Sequence, residues 1–342
     1  MSGKRVCVTG ASGYIAQHLV HQLVQRGYNV KATVRNKNDS AKLVYLNQLK
    51  SENENSLEIV EGDLLQPGSF DKAVEGCETV FHTASPFFFI PPDKKEEGEQ
   101  KLIKVAVDGT KNVLESVGKT DSVKRVVLTS SVAAVINPLN PHTKEATGED
   151  WNTNSKLEDV MGAYRISKTK AEQEAWAWTK DHPNVDLVAI NPAFVVGPVL
   201  PPVATKDFKF PNKPQSLGTS CDTLRKFLVG ENKTAATMHL GWVDVRDIAL
   251  MHILSAERPH AKGNRYIGSA KQCTQYDVIQ GIMKELYPKY NIDVSKGPGG
   301  PEYSVIAEKS EKDLGFKFRD LKETIKDMCD SLIELGYVEK KE

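Results

Sequence analysis

The stretch Arg5-Val6-Cys7-Val8-Thr9-Gly10-Ala11-Ser12-Gly13-Tyr14-Ile15-Ala16 changes character at Gly10. Before it runs a short apolar, partly β-branched segment; after it, Ile15, Leu19, Leu23 and Val24 recur at helical spacing through residues 14–26, and Gly27 is placed to end the helix. A strand that turns through small residues into a helix leaves the first helical N–H groups open, and a pyrophosphate can approach them closely. A tight turn wants glycine even without a ligand, so context supplies the weight. Residues 29–34 form the next strand-like run and complete a β-α-β crossover. Further strand-like runs follow at 57–61, 79–82, 125–129 and 186–190, separated by segments of helical period. This alternation predicts an α/β fold with a doubly wound, Rossmann-type parallel sheet.

Beyond Asn191 the composition shifts. Pro198, Pro201, Pro202, Pro211 and Pro214 exclude continuous helix or central strand as far as Gln215, which predicts a loop leaving the sheet. A helical pattern at 219–228, a strand at 238–243 and a helix at 244–256 come next, then helical patterns near 275–287 and 321–335. The expected organisation is a dinucleotide-binding domain over 1–190, with 219–256 returning to it. Residues 191–218 and 257–342 make a smaller, discontinuous substrate-binding lobe.

A chain of 342 residues, 39% hydrophobic, can bury a core without disulfide or metal staples. Lys plus Arg number 45 and Asp plus Glu 45, so no net field attracts nucleic acid or an anionic membrane. The five cysteines are scattered, without a CxxC pair or clustered histidines, and predict reduced thiols and no metal. No apolar run reaches membrane-spanning length and the first strand starts beside Met1, so a cytoplasmic monomer or homodimer is expected.

At the end of the second predicted strand, where NAD-binding proteins place an acidic residue against the ribose, this chain has Arg35. A guanidinium there suits the extra 2′-phosphate of NADP(H) through charge-assisted hydrogen bonds. Lys37 and Lys42 are nearby candidates for the same phosphate. Gly10, Ser12, Gly13, Tyr14 and Ile15 would cradle the pyrophosphate. Asp63 and Leu64 would face the adenine, and Thr83, Ala84 and Ser85, after the fourth strand, the nicotinamide ribose.

Tyr164 and Lys168 stand four residues apart, on one face of a predicted helix running through Trp178. A phenol with a pKa of about 10 is a poor acid near neutrality; a neighbouring ammonium is expected to lower it so that it can protonate a carbonyl oxygen as hydride reaches carbon. The fifth strand ends in Ser130-Ser131, hydroxyls delivered to the same sheet edge, where one could hold the substrate oxygen.

In these motifs the chain resembles the extended short-chain dehydrogenases/reductases, in the branch of the dihydroflavonol reductases and the yeast methylglyoxal (carbonyl) reductases. The resemblance spans nearly the whole chain and is carried by VTGASGYIAQHLV at 8–20, ATVR at 32–35, GDL at 62–64, VFHTASP at 80–86, VKRVVLTSSVAAV at 123–135, YRISKTKAEQEAW at 164–176, INPAFVVGP at 190–198, Thr219-Ser220 and WVDVRDIA at 242–249. It implies NADPH-dependent reduction of a ketone or aldehyde, with Ser131 rather than Ser130, Tyr164 and Lys168 as the catalytic set and Tyr164 as proton donor. It implies further that Lys168 holds the nicotinamide ribose, that Arg35 and Lys42 face the 2′-phosphate, and that Pro192, Ala193, Val195 and Ser220 contact the cofactor. Two departures stand out. Ala106-Val107-Asp108-Gly109 replaces the Asn-x-x-Gly turn that carries a relay asparagine in many such enzymes, and the Asn-Trp-Tyr-Cys-Tyr signature of cinnamoyl-CoA reductases is absent before Tyr164, which demotes a CoA thioester as substrate.

Phe87, in the Phe87-Phe88-Phe89 run, is a candidate substrate wall. His18 and His21 are expected on a polar helix face, and Trp176 and Trp178 in packing or an interface. The competing classes are an NAD-dependent sugar-nucleotide epimerase or dehydratase, against which Arg35 argues, and a non-catalytic NADPH-binding protein.

Overall fold

The computed structural model describes residues 3–40, 42–200 and 217–341; most of the predicted proline-rich loop lies outside them. Strands β1 (Arg5–Thr9), β2 (Asn29–Val34), β3 (Leu57–Glu61), β4 (Thr79–His82) and β5 (Arg125–Thr129) join Asp186–Pro192 and Arg265–Gly268 in one parallel sheet. Its seven strands run in the order Arg265–Gly268, Asp186–Pro192, β5, β4, β1, β2, β3. The order reverses between β1 and β4, and in open α/β sheets ligands bind in the crevice at the carboxyl end of that switch point.

β1 is buried from Val6 to Thr9, as a central strand with both faces covered must be. On one face lies helix α1 (Tyr14–Gln25), whose Ala16, Leu19, Val20 and Leu23 enter a core shared with Ile248, Met251 and Ile253 of the Val245–Glu257 helix. The other face is covered by Lys104–Gly118 and Gly162–Asp181, through Val113, Leu114, Val117 and Ala175. Truncating Leu19 or Leu23, both inaccessible, to Ala would cost about 2–5 kcal/mol.

A second core surrounds Trp242, Phe227, Ile325 and Met328. It joins helices Thr219–Leu228 and Leu321–Glu334 to a three-stranded sheet of Lys271–Thr274, His239–Asp244 and Phe194–Val196. The strand predicted at 238–243 therefore pairs in this small sheet, whereas the helix after it returns to the main core. Arg265–Gly268, inside the range expected for the lobe, is the edge strand of the main sheet. All four of its residues are buried, and Arg265 is accommodated there because Glu172 meets it at 2.5 Å.

Candidate active site

At the end of β1 the chain enters a left-handed turn at Gly10 (φ 66°), where a Cβ would stand 2.9 Å from the Ala84 Cα. Only glycine fits that conformation and that approach. Ala11 N–H donates to the Thr33 carbonyl (2.8 Å) and Gly13 N–H to that of Gly10 (2.9 Å), which fixes the loop. Gly13 caps α1 without any side-chain hydrogen bond, so the first-turn N–H groups of Tyr14 and Ile15 keep their anion-binding capacity. Ser12 keeps its carbonyl on Gln17 Nε2 at 2.9 Å. The Tyr14 phenol points elsewhere, donating to the Gly197 carbonyl at 2.6 Å, so only its backbone belongs to this turn. Beside it Gly218 leads into the Thr219–Leu228 helix, which carries Ser220.

Arg35, just past β2, is exposed and makes no ion pair or hydrogen bond among the described residues. Lys42 is drawn to Asp39 at 3.3 Å, and Lys37 N–H donates to Glu61 at 3.1 Å. Asp63 closes a turn on itself, its carboxylate accepting from Leu65 N–H (2.9 Å), while its backbone exchanges hydrogen bonds with Ser69. Leu64 packs over Gly109, and Asn112 Nδ2 donates to its carbonyl at 2.6 Å. Thr9 Oγ1 accepts from Thr83 and Ala84 N–H, both at 3.1 Å, and the Thr83 hydroxyl donates back to the Thr9 carbonyl; Ser85 follows on the same edge.

The Gly162–Asp181 helix starts under the Lys156 carbonyl, where a Cβ on Gly162 would come within 1.9 Å of the oxygen. Asp159 steadies that entry, accepting from Lys156 N–H at 2.9 Å and pairing with Arg165 at 3.7 Å. One turn in, Tyr164 and Lys168 share a face, the ammonium 6.0 Å from the ring centroid. Lys168 Nζ reaches the Thr129 carbonyl at 3.4 Å. The Thr129 side chain is held by His252 at 2.6 Å, whose other ring nitrogen meets the Ile248 carbonyl. Ser130 and Ser131 diverge. Ser130 donates to Glu172 at 2.5 Å, whereas Ser131 Oγ accepts from Ala133 N–H (3.1 Å), lies 3.5 Å from the Pro192 carbonyl and is close enough to the Tyr164 phenol to influence it.

Burial raises the Tyr164 phenol above the ordinary tyrosine value, with the Ser131 hydroxyl pulling it down. The expected lowering by Lys168 is not found among the described residues: desolvation dominates. Burial brings Lys168 itself down to about 8, against the opposing charge of Glu172. At neutral pH the pair is thus a protonated phenol beside a mostly protonated ammonium.

Pro192 ends its strand beside Ser131. Ala193 N–H donates to the Gly268 carbonyl at 2.9 Å, and Val195 pairs with Val243. Phe87 stands edge-on to Tyr164, centroids 4.8 Å apart, and is 43% exposed. His18, expected on a polar face, is buried and bonds the Pro198 carbonyl at 2.9 Å, because Pro198 lies against α1; His21 meets Tyr45 at 2.6 Å. Trp178 stacks on His182, and Trp176 donates to Glu172. The sequence reasoning missed Glu172, Asn191, Arg265, His82 and His252, all buried polar groups around the strand ends. A signal existed for Glu172, which is one helical turn past Lys168. Among the described residues no cluster of three or more His, Cys, Asp or Glu is placed to hold a metal, and no helix is long and apolar enough to cross a membrane.

A doubly wound sheet with an open helix N-terminus at its switch point, and a Tyr–Lys pair on the same edge, defines a protein of the dinucleotide-binding class. The chain belongs to the NAD dependent epimerase/dehydratase family, whose model matches residues 6–267. It is 40% identical to a cinnamoyl-CoA reductase of Medicago truncatula, over 97% of this chain and 96% of that protein. It is 34% identical to a dihydroflavonol 4-reductase of Callistephus chinensis, over 97% of this chain and 87% of that protein. Among solved structures it is similar to the yeast methylglyoxal/isovaleraldehyde reductase Gre2 complexed with NADPH, with TM-score 0.80, 33% identity and coverage of 97% of this chain and 99% of that one. The residues present fit such a dinucleotide: an uncapped α1 N-terminus for the pyrophosphate, a Gly10 cradle that any Cβ would fill, and a guanidinium at Arg35 unpaired among the described residues.

Proposed function

We propose that this protein reduces a ketone or aldehyde to an alcohol with NADPH, Tyr164 serving as proton donor. When bound, NADPH supplies the hydride. The observation that carries the proposal is the grouping of Ser131, Tyr164 and Lys168 on the sheet edge that also holds the open α1 N-terminus. Ser131 would hold the substrate oxygen against the phenol, and Tyr164, kept protonated by burial, would give its proton to that oxygen. Lys168 would stabilise the phenolate so formed and hold the nicotinamide ribose. Arg35 would select the 2′-phosphate, with Lys42 in a lesser part because Asp39 already pairs with it. Asp63 and Leu64 at the adenine, Thr83 to Ser85 at the ribose, and Pro192, Ala193, Val195 and Ser220 around the nicotinamide complete the proposed cofactor site. Phe87 would wall the substrate. The small sheet and its helices would form the substrate lobe.

The name of the 40%-identical relative favours a second reading, reduction of an acyl-CoA thioester to the aldehyde with release of the thiol. The absent Asn-Trp-Tyr-Cys-Tyr signature weighs against it. Consumption of NADPH, with NADH in parallel, across aldehydes, diketones, keto esters, a dihydroflavonol and an acyl-CoA tests both. Turnover of free carbonyls with strong NADPH preference is expected. Turnover of the thioester alone would install the second reading, and silence throughout would remove both.

A further inference from the structure

We infer that Glu172 is the positioning residue of this site, its buried carboxylate tying the two strand ends around Ser131 to the helix that carries Tyr164 and Lys168. The inference rests on the reduction proposed above. Glu172 lies one turn beyond Lys168, and its side chain is inaccessible. Its Oε2 accepts from Ser130 Oγ (2.5 Å), Asn191 Nδ2 (2.9 Å) and Arg265 Nη2 (3.2 Å); its Oε1 accepts from Arg265 Nε (2.5 Å) and Trp176 Nε1 (3.2 Å). The contacts continue outward. Asn191 Nδ2 also donates to the Ser131 carbonyl at 3.1 Å, and Arg265 donates to the carbonyls of Gly148 (2.8 Å) and Asp150 (2.5 Å) while lying 3.7 Å over the Trp151 ring.

One carboxylate thereby joins the end of β5, the end of Asp186–Pro192, the edge strand and the 148–151 loop to the catalytic helix. Asn191 Oδ1 is buried without a partner among the described residues, so the amide is oriented by what its nitrogen donates to, the Glu172 carboxylate and the Ser131 carbonyl. Stability alone does not call for this arrangement, since replacing a buried ion pair by well-packed apolar residues is often neutral or stabilising. What the pair provides is a fixed spacing between Ser131 and Tyr164. It also places an anion beside Lys168. Among the described residues, the other titratable groups near that ammonium are Tyr164 on the same helix, His82 on β4, which burial and Lys168 itself keep neutral, and His252 behind Thr129, which burial keeps neutral, while Arg265 pairs with Glu172. Among the described residues, it is Glu172 that pulls Lys168 toward its charged form.

The test uses the full chain with Glu172→Met and Arg265→Met together, which removes both members of the buried ion pair at once, and with Ser130→Ala alone. Folding is read by thermal melting, NADPH affinity by titration, and kcat as a function of pH. For the double variant kcat should fall about 100-fold, the effect of misplacing a catalytic group by about an ångström. NADPH affinity should stay within about threefold, since the pyrophosphate and 2′-phosphate positions are untouched. The alkaline limb of the pH profile should move to lower pH, because Lys168 loses the charge that opposes its deprotonation. Ser130→Ala should lower kcat about tenfold, one charge-assisted hydrogen bond being lost. A folded double variant with kcat within about twofold and an unmoved limb would reduce Glu172 to a structural strut. If the double variant does not fold, unchanged kcat in Ser130→Ala overturns the inference. An inactive wild type sinks the proposed reduction and this inference with it, whereas an active wild type with indifferent variants sinks this inference alone.

Discussion

Replacing Arg35 by alanine removes a side chain whose guanidinium has no ion pair or hydrogen bond within the described residues. Its loss should therefore leave the melting temperature almost unmoved, the stability change staying within about 0.5 kcal/mol. Against a cofactor 2′-phosphate the same group forms charge-assisted hydrogen bonds worth roughly 1.5–3 kcal/mol, the lower end applying because the site is open to solvent. At 1.4 kcal/mol per decade this is about a 10- to 100-fold weakening of NADPH binding. NADH, lacking the phosphate, should bind as before, so the variant should lose most of its preference between the two. Direct titration of both cofactors, with kcat/KM for each at fixed carbonyl substrate, gives the ratio. Affinity lost equally for NADPH and NADH would refute the reasoning, because it would place Arg35 on the shared part of the dinucleotide. The assignment would also fail if the ratio stayed at its wild-type value.

His82, His18 and His252 are buried and held down to about 3, 4 and 4. Their folded values lie below the unfolded ones, so the stability they confer is present above about pH 6.5 and is lost as the pH falls toward 4; a series of melting curves should show this, and a flat profile from pH 7 to 4 would contradict it. Lys168, near 8, implies that kcat declines as the pH rises through about 8 and the ammonium is lost; a constant kcat to pH 10 would detach that charge from catalysis. Phe87→Ala removes an edge-on ring contact with Tyr164 worth about 0.5–1.5 kcal/mol. KM for aromatic carbonyls should rise several-fold with kcat largely kept, and an unchanged KM would take Phe87 out of the substrate wall.

The six strands of the main sheet that begin before Asn191 are visible in the sequence because each is a short apolar run with turn signals on either side, and central parallel strands have no solvent face to interrupt them. The seventh, Arg265–Gly268, is hidden: it has four residues, opens on an arginine and ends on a glycine, and only its pairing with Asp186–Pro192 makes it a strand. The Tyr164–Lys168 pair is legible because it is local, one turn of one helix. Glu172 and Arg265 lie 93 residues apart, and no local spacing joins them. The burial of His18 is hidden for a related reason, since the Pro198 carbonyl that it bonds is 180 residues away. Lys42 and Asp63 show the converse limit, in that position along the chain does not fix what a side chain bonds, and both are engaged by their own loops.

The most direct test of the account is Tyr164→Phe, which removes one oxygen and keeps the ring that Phe87 packs against. NADPH affinity and the melting temperature should be nearly unchanged, while kcat for a carbonyl substrate should fall by about 100- to 10,000-fold, the usual range for a lost general acid. A variant that binds NADPH and turns over at the wild-type rate would contradict the central claim, because the proton would then come from elsewhere.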